Sequence, residues 1–406
     1  MPQLIIIADD LTGAADTGIA FARSGLHTVV NLYPGPVPNC DVWVISTHSR
    51  HLPPAQAQDQ VRMALASIQA SSTQLPWIYK KIDSTLRGHA GPELQTVMST
   101  LGLDRVLIAP AFPGQERTTR EGRQYVAGQL LTDTAFGQEA AHSDVASYFN
   151  SLTDSHSLKM LDLPTIRKGQ DTLVDCLVQA TPTLFIADAE TNDDLLRLAK
   201  AALASETRLL CGSAGLARGL EVTLKLQPSA NQPIVPQRPN GPILIVAGSR
   251  HPQTAAQVQR LAQQDTPVIQ PTAIGQDVYT SHESQPISQA LAMLRQEKQV
   301  VISTSGLPKQ GLDGQTIASQ LGEMVQTILA ATPIGGLILT GGDIAMAVCT
   351  ALQSTAICLD TEIEPGIPSG TLNDGPYAGL PLVTKAGGFG TDEVFLKALD
   401  HLDRSN

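Results

Sequence analysis

The chain opens on Leu4-Ile5-Ile6-Ile7-Ala8-Asp9-Asp10-Leu11-Thr12-Gly13, and this stretch determines the expected fold. Five consecutive apolar residues are typical of a strand buried on both faces, as in a parallel sheet. Small residues from Gly13 onward begin a helix, whose N-terminus favours an anion. Asp9 and Asp10 lie between the two elements, where each carboxylate must be solvated, paired or bound to metal. The stretch predicts a strand, a turn with functional carboxylates and a helix, while Thr12 as an ordinary N-cap is a plainer interpretation of the helix start.

A second strand end is rich in charged and hydroxyl side chains. Tyr79-Lys80-Lys81-Ile82-Asp83-Ser84-Thr85-Leu86-Arg87-Gly88 continues the apolar run from Trp77, and Gly88 with Pro92 marks a loop into a helix from about Glu93. In open α/β sheets, ligands bind at the carboxyl ends of the strands. Cations, hydroxyls and a carboxylate in one cluster suit a small, anionic, hydroxylated ligand. A solvated strand end with a helix cap is the alternative.

Strand-like runs alternate with helical patterns on both sides of a proline-rich segment. Strands are expected at Leu4–Ala8, Thr28–Leu32, Val42–Ser46, Trp77–Ile82, Arg105–Ala109, Thr183–Ala187, Ile243–Ala247, Val300–Thr304 and Leu337–Thr340. Segment 227–241 is expected to link a domain at 1–226 to a domain at 242–406. The predicted fold class is α/β: two α/β domains with parallel or mixed sheets and an active site in the interdomain cleft. The polar, aperiodic segment Asp133–Gln170 has no assignment.

Composition and charge argue against nucleic-acid and membrane partners. The 406 residues have a net charge of −11 and contain no Lys/Arg-rich stretch. No apolar run approaches the roughly 18 to 20 residues that span a bilayer, and the first apolar stretch lacks the basic flank of a signal peptide. Five scattered cysteines without a CxxC pair indicate neither a disulfide framework nor a zinc site. A cytoplasmic protein is expected.

Three glycine-rich loops follow apolar runs in the second half of the chain. They are Gly248-Ser249-Arg250-His251, Gly341-Gly342-Asp343 and Lys385-Ala386-Gly387-Gly388-Phe389-Gly390. Backbone N–H groups at such turns bind phosphate in many nucleotide sites. None of the loops has the spacing of a P-loop or of a dinucleotide-binding turn. The pattern predicts a nucleotide site of another type, with ordinary turns as the alternative.

Seven blocks occur in an order that resembles the four-carbon acid sugar kinase family. They are Ala8–Ala14, Lys81–Gly88, Pro110–Pro113 followed by Arg117–Thr119, Gly212–Ala217, Val246–Ser249, Thr340–Asp343 and Lys385–Gly390. The resemblance therefore extends over nearly the whole chain. It implies an N-terminal domain that binds a sugar acid and a C-terminal domain that binds ATP. The implied reaction is phosphorylation of the terminal C4 hydroxyl of a four-carbon sugar acid. D-threonate is the expected substrate, and D-erythronate, L-threonate and 3-oxo-tetronates are the alternatives.

The resemblance and the chemistry of phosphoryl transfer together assign expected roles. The transition state requires an aligned acceptor hydroxyl and cations for the phosphate charge. Expected catalytic residues are Asp10, Asp83, Lys81 and Arg87, with the choice between the two aspartates as base left open. Expected substrate contacts are Asp9, Arg50, Ser84, Thr85 and Arg117. Expected nucleotide contacts are Ser249, Thr340, Gly341, Gly342, Asp343, Glu362, Gly366, Lys385, Gly387 and Gly388. The transferred phosphate implies Mg²⁺, whose ligands the sequence does not identify.

One position departs from the family pattern, in which a glycine commonly precedes the Arg-Thr pair. Here that position is Glu116, so the local turn and the role of Arg117 are open. Two other classes of protein are considered. A sugar-acid dehydrogenase would have the dinucleotide fingerprint, which is missing, and a non-catalytic sugar-acid sensor would lack the nucleotide loops, which are present. The expected partners are the sugar acid and ATP, and a homodimer is left open.

Overall fold

Parallel strands organise both halves of the chain in the computed structural model, which describes residues 1–69, 75–140, 142–152, 156–178, 183–229, 239–271, 284–304 and 313–404. Those residues belong to two units, Met1–Gln232 and Pro233–Asn406. Residues 230–238 of the expected linker lie outside the described residues. Within the described ranges, no helix is both long and apolar enough to cross a membrane. The expected α/β class with parallel and mixed sheets is confirmed.

The N-terminal unit contains a parallel sheet and a small antiparallel one. Its strands are β1 (Leu4–Ala8), β2 (Thr28–Asn31), β3 (Val42–Ser46), β4 (Trp77–Lys81), β5 (Arg105–Ala109), β6 (Arg117–Arg120), β7 (Arg123–Val126), β8 (Gln129–Leu130), β9 (Ser157–Leu161), β10 (Thr183–Ala187) and β11 (Leu209–Gly212). The parallel strands have the order β2-β3-β1-β4-β11-β5-β10-β9, and β6-β7-β8 form the antiparallel sheet. β2 and β3 lie on one side of β1 and β4 lies on the other. The carboxyl end of β1 is therefore a switch point, where α/β sheets bind ligands.

Helices connect the parallel strands of this unit. They are α1 (Leu11–Arg23), α2 (Pro54–Gln69), α3 (Ala90–Leu101), α4 (Val145–Tyr148), α5 (Leu163–Lys168), α6 (Gln170–Val178), α7 (Asn192–Ala204) and α8 (Ala214–Leu224). The N-cap of α1 is Asp10 and not Thr12, because Asp10 Oδ1 accepts a hydrogen bond from the N–H of Gly13 at 2.9 Å. Part of segment Asp133–Gln170 forms α4, β9 and α5.

The C-terminal unit contains a mixed sheet. Its elements are β12 (Ile243–Ala247), α9 (Pro252–Ala262), β13 (Val268–Ile269), α10 (Gln285–Leu294), β14 (Val300–Ser303), α11 (Gly314–Ala331), β15 (Gly336–Thr340), α12 (Gly342–Ala351), β16 (Ala356–Glu364), β17 (Ile367–Leu372), β18 (Pro381–Lys385) and α13 (Val394–Arg404). The strand order is β13-β14-β12-β15-β18-β17-β16. The neighbouring strands β13, β14, β12, β15 and β18 pair in parallel. β17 pairs antiparallel with both β18 and β16. Phe395 and its apolar neighbours on α13 pack on the core of this unit.

Candidate active site

Three loops of the N-terminal unit begin side by side at the carboxyl edge of β3, β1 and β4. The register pairs Ala8 with Ser46 on one side and with Lys81 on the other. Because these three positions are level, the residues that follow them leave the sheet together. The two charged stretches that the sequence singles out, at residues 9–10 and 81–88, therefore contribute to one site, and residues 47–50 complete it.

Arg50 joins the two aspartates that follow β1. Its Nε and Nη2 donate to the two carboxylate oxygens of Asp9, both at 2.8 Å, and its Nη1 and Nη2 donate to those of Asp10 at 2.7 and 2.9 Å. Burial alone would raise the pKa of Asp9, but the charge and hydrogen bonds of Arg50 hold that pKa below its usual range. Two protein carboxylates thus already match the charge of Arg50.

Asp83, Thr85 and Arg87 form a second ion-paired group in the turn after β4. Arg87 Nε donates to Asp83 Oδ2 at 2.9 Å and its Nη2 donates to Oδ1 at 3.1 Å. The N–H of Thr85 donates to Asp83 Oδ2 at 3.2 Å, and the Thr85 hydroxyl donates to the same oxygen. Burial alone would raise the pKa of Asp83, but the hydrogen bonds from Arg87 and Thr85 and the charges of Arg50 and Arg87 together hold that pKa well below its usual range. Arg87 also pairs with Glu139 at 3.2 Å.

Lys81 lies over the first turn of α1. A Cβ atom added to Gly13 would lie 2.5 Å from Asp10 Oδ1 and 2.8 Å from Lys81 Nζ, so glycine leaves room there for both side chains. Lys81 is 6% exposed. Within the described residues its ammonium has no hydrogen-bond or ion-pair partner. A nearly buried ammonium without a direct ion pair is costly, which makes Lys81 a candidate to bind an anionic ligand.

Arg117 is a second cation near the site that forms no ion pair with a carboxylate in the described part of the chain. Its Nη1 donates to the carbonyl and side-chain oxygens of Gln115 at 2.7 and 3.1 Å, while its buried Nε lacks a partner there. Burial lowers the pKa of Arg117, and the charge of Asp83 opposes that effect. The preceding Glu116 has φ +58° and ψ +28°, in the left-handed region that favours glycine. The turn that glycine would favour is therefore retained with glutamate.

A buried network lies beneath the site, and sequence reasoning missed it. Lys80 Nζ pairs with Glu93 Oε2 at 2.8 Å and donates to the carbonyl of Lys81 at 2.9 Å. Glu93 also accepts a hydrogen bond from the hydroxyl of Ser49, which contacts the hydroxyl of Thr47 at 2.7 Å. The network links β4, α3 and the loop after β3. The adjacent Lys80 and Lys81 indicate cations at this strand end, but nothing in the local sequence indicates which of the two side chains points inward.

Two further contacts hold the turn after β4. Gln124 Nε2 donates to the carbonyl of Ser84 at 2.7 Å, and the hydroxyl of Tyr148 donates to the carbonyl of Arg87 at 2.6 Å. The contact of Ser84 with Gln124 is thus made by its backbone carbonyl. Tyr148 belongs to α4, so part of the unassigned segment supports the site.

In the C-terminal unit, the three glycine-rich loops follow the neighbouring strands β12, β15 and β18. The register pairs Ala247 with Thr340 and Thr340 with Lys385, so the loops leave one edge of the sheet side by side. Gly341, at φ +104°, precedes α12 without a side-chain hydrogen bond to cap the helix. Gly342 begins the helix, and Asp343 is exposed in its first turn. The N–H groups of that turn face no intrahelical acceptor, which suits an anion.

Lys385 and Thr340 bring a buried cation and a buried hydroxyl to the same edge. Lys385 is 2% exposed, and its Nζ donates to the carbonyl of Gly387 at 3.3 Å, with the ring of Phe395 at 5.6 Å. Burial lowers the pKa of Lys385 to about 8. Thr340 is fully buried, and its hydroxyl oxygen has no hydrogen-bond partner in the described residues. A buried cation beside an orphaned hydroxyl fits a phosphate group.

Gly387 and Gly388 pack against the loop after β12. A Cβ atom on Gly387 would overlap Ser249 Oγ, and one on Gly388 would lie 3.0 Å from His251 Nε2. Larger residues at either position would fill the space between the loops. This space, with Lys385 and Thr340 beside it, is a suitable cradle for nucleotide phosphates.

Glu362 lies near the end of β16, and Gly366 lies in the turn between β16 and β17. Glu362 Oε1 accepts from the N–H of Gly366 at 2.8 Å, and Gly366 has φ +80°. The neighbouring Glu364 accepts from the N–H and hydroxyl of Thr391 at 2.7 and 2.6 Å. The turn therefore supports the end of the loop after β18.

No group of three or more His, Cys, Asp or Glu side chains with the geometry of a metal site occurs in the described residues. Mg²⁺ in phosphoryl-transfer enzymes commonly keeps several waters and binds through substrate phosphates and one or two carboxylates. The acidic groups here fit that mode better than a preformed metal cage.

Comparison with known proteins identifies both units. The sugar-binding N-terminal domain family matches residues 4–220, and the nucleotide-binding C-terminal domain family matches residues 244–395. A solved structure from Salmonella typhimurium superposes with a TM-score of 0.80 at 22% identity, over 97% of this chain and 98% of that one. This likeness supports the fold.

Curated relatives match over nearly the full length. The chain is 33% identical to a D-threonate kinase of Salmonella typhimurium, over 99% of this chain and 98% of the relative. It is 32% identical to a D-threonate kinase of Bordetella bronchiseptica, over 98% and 96%. A D-erythronate kinase of Heliobacterium modesticaldum is 26% identical, over 99% and 97%. The chain therefore belongs to the four-carbon acid sugar kinase family.

Proposed function

We propose that the chain is an ATP-dependent kinase that phosphorylates the C4 hydroxyl of D-threonate. Relatives named D-threonate kinase are 32–33% identical to it, whereas those named D-erythronate or 3-oxo-tetronate kinase are 26–28% identical. Residues 1–226 bind the acid and residues 242–406 bind the nucleotide. The domain families matched at 4–220 and 244–395 support this division.

The observation that supports the acid site best is the unequal neutralisation of its cations. Arg50 and Arg87 are paired with Asp9, Asp10, Asp83 and Glu139. Lys81 and Arg117 have no such partner in the described ranges. In our proposal these two cations bind the anionic groups of the reactants, and Arg117 suits the substrate carboxylate because a planar guanidinium binds it through two parallel hydrogen bonds.

Hydrogen-bond capacity distinguishes the two aspartates. A carboxylate has about four acceptor positions. Asp83 already accepts from Arg87 twice and from the N–H and hydroxyl of Thr85. Asp10 accepts from Gly13 once and from Arg50 twice, and its side chain is 25% exposed. Asp10 therefore has a free acceptor position, and we assign it to the acceptor hydroxyl.

In the reaction, the C4 oxygen of the acid forms a bond to the γ-phosphorus of ATP. The bond from that phosphorus to the β,γ-bridging oxygen breaks, and ADP leaves with the electron pair. Because the transition state is loose, alignment matters more than strong basicity, and Asp10 orients the hydroxyl and accepts its proton as transfer completes. Lys385, Thr340 and the glycine loops bind the phosphates, and Mg²⁺ bound to ATP offsets their charge.

A substrate panel tests this function. The purified protein is mixed with ATP, Mg²⁺ and, one at a time, D-threonate, D-erythronate, L-threonate and 3-oxo-tetronates, and ADP release is measured. We expect the highest kcat/KM with D-threonate and a 4-phosphate product by phosphorus NMR. A higher value with another acid would replace D-threonate, and no ADP release with any acid would reject the kinase.

A further inference from the structure

We propose that Thr254 and Gln257 on α9 are positioning residues for the nucleotide: they hold loop 386–391 so that the N–H of Gly388 faces the phosphates. This inference rests on the proposed ATP site. Neither side chain is in a glycine-rich loop, and no sequence pattern singles them out.

Both side chains donate to carbonyls of the loop. Thr254 Oγ1 donates to the carbonyl of Gly387 at 2.7 Å. Gln257 Nε2 meets the carbonyls of Phe389, Gly390 and Thr391 at 3.0, 3.1 and 3.0 Å. Four loop carbonyls therefore face one side of α9.

The contact between Thr254 and the carbonyl of Gly387 also determines the direction of the next N–H group in the loop. In a planar trans peptide, the C=O of one residue and the N–H of the next point in opposite directions. The carbonyl of Gly387 faces Thr254, so the N–H of Gly388 points away from α9. That N–H has no hydrogen-bond partner among the residues that the structure describes.

A neighbouring peptide shows that this side of the loop accepts an anion. The carbonyl of Gly390 faces Gln257, and the N–H of Thr391 correspondingly points away. This N–H donates to the carboxylate of Glu364 at 2.7 Å. The protein thus places an anion on one N–H of the loop, and the N–H of Gly388 is available for another.

Burial argues that the polar atoms serve the loop. Thr254 and Gln257 are both fully buried. Apolar side chains would pack on that face of α9 with a smaller desolvation cost. Gln257 Oε1 is buried without a hydrogen-bond partner in the described residues, so the amide is not ideally satisfied for stability alone. Its arrangement is explained by the three carbonyls that Nε2 orients.

Substitutions on α9 test the inference. Thr254→Val removes the donor and keeps the shape, Thr254→Ser restores the donor, and Gln257→Met removes the amide at similar volume. Gln259→Met is the matched control, because Gln259 is exposed on the same helix. Affinity for ATP with Mg²⁺ is measured by calorimetry without acid, and KM is measured separately for ATP and for the acid. Circular dichroism melts show whether each variant folds.

We expect Thr254→Val and Gln257→Met to weaken ATP binding about tenfold or more, with KM for the acid changed less than twofold. Thr254→Ser and Gln259→Met should bind ATP like the unmodified protein. Folded Thr254→Val and Gln257→Met variants with unchanged ATP affinity would overturn the inference and leave the kinase proposal intact. If Gln257→Met does not fold, Thr254→Val against Thr254→Ser decides the result. Absence of ATP binding by the unmodified protein would instead reject the ATP site itself.

Discussion

Asp10 has two structural roles, which the substitution Asp10→Asn should preserve while it removes the proposed catalytic role. It caps α1 and it pairs with Arg50. Asparagine caps helices about as well as aspartate, and Arg50 would keep its two contacts to Asp9. Asp10→Asn should therefore fold but lower kcat about 100-fold or more, because a neutral amide cannot accept the hydroxyl proton.

The measurement for Asp10→Asn is kcat in steady-state assays together with ATP affinity by calorimetry. Asp59→Asn is the control, since Asp59 forms an exposed ion pair with Arg62. ATP affinity should be unchanged in both variants. A kcat within threefold of the unmodified protein would remove Asp10 from the catalytic role.

Glu116 shows that a departure from a family pattern need not change the backbone. Its φ of +58° is a conformation that costs a non-glycine residue about 1 kcal/mol or more. Glu116→Gly should leave stability unchanged or raise it slightly, because relief of strain offsets the added freedom of the unfolded chain. Glu116→Val should lower the free energy of unfolding by about 1–2 kcal/mol, since a β-branched residue fits this region poorly. Denaturant titration checks both, and a stable Val variant would contradict the strain.

Lys385 should make nucleotide binding depend on pH. Its pKa is lowered to about 8 by burial, so it is charged below that pH in the free protein and loses its proton above it. A bound phosphate favours the charged form and raises this pKa. The Kd for ATP should be constant below about pH 8 and rise by up to tenfold per unit above it.

Calorimetry from pH 7 to 10 measures this effect, in a range where the ATP phosphates are already ionised. Lys385→Arg is the informative variant, because arginine stays charged throughout. Its profile should be flat. A pH-independent Kd for the unmodified protein would mean that Lys385 does not meet the phosphates.

At the scale of elements, the buried pair Lys80–Glu93 joins β4 to α3. Both side chains are at most 1% exposed. Removing one charge leaves the other uncompensated, which costs about 3–5 kcal/mol, whereas an apolar pair of similar volume is often neutral. Glu93→Leu should therefore destabilise the N-terminal unit by that amount, and Lys80→Met with Glu93→Leu should recover most of the loss.

Tryptophan fluorescence reports the unfolding of the N-terminal unit, because both tryptophans of the chain, Trp43 and Trp77, lie in that unit. Unfolding is followed in urea. A double variant as unstable as Glu93→Leu would show that Lys80 is needed for more than charge balance.

The sequence pattern predicted most strands that have continuous apolar runs and missed most of the others. β1, β3, β5, β10 and β12 have the expected bounds. β11, which has three apolar residues before Gly212, was missed although it lies in the sheet between β4 and β5. β16 and β17 contain polar residues and pair antiparallel through irregular register, so their pattern does not separate them from loops. α12 begins at Gly342, inside the Gly341-Gly342-Asp343 stretch that the sequence pattern indicated as a loop, because the low helix propensity of glycine conceals a helix start.

The sequence pattern also indicated segments that the structure brings to one edge of the sheet, but it did not indicate the ion pairs among them. Asp9, Asp10, Lys81 and Asp83 follow strand ends, which a linear pattern detects. Arg50 lies about forty positions from its two partners, so only the tertiary fold assigns it to them. Thr254 and Gln257 lie within a helix and act on a loop more than 130 positions away. Such contacts have no local signal.

For the whole molecule, net charge and substrate charge have the same sign. The chain carries −11, so its long-range field does not attract a sugar acid or ATP. Recognition must come from short-range contacts with desolvated cations, which salt screens weakly. The carboxylate of the acid should therefore contribute much of the discrimination between substrates.

Threitol, the neutral polyol matched to threonate, tests this contribution. It offers the same terminal hydroxyl and lacks the anion, so a pocket with unpaired cations would bury them without a partner. We expect kcat/KM for threitol to be at least 100-fold lower than for D-threonate. Arg117→Met should narrow that ratio at least tenfold by lowering the value for threonate, whereas Lys168→Met, at an exposed site on α5, should leave it unchanged. Similar efficiencies for threitol and threonate would reject carboxylate binding by these cations even if the protein is a kinase. If Arg117→Met leaves the ratio of the two kcat/KM values unchanged, Lys81 and not Arg117 binds the carboxylate.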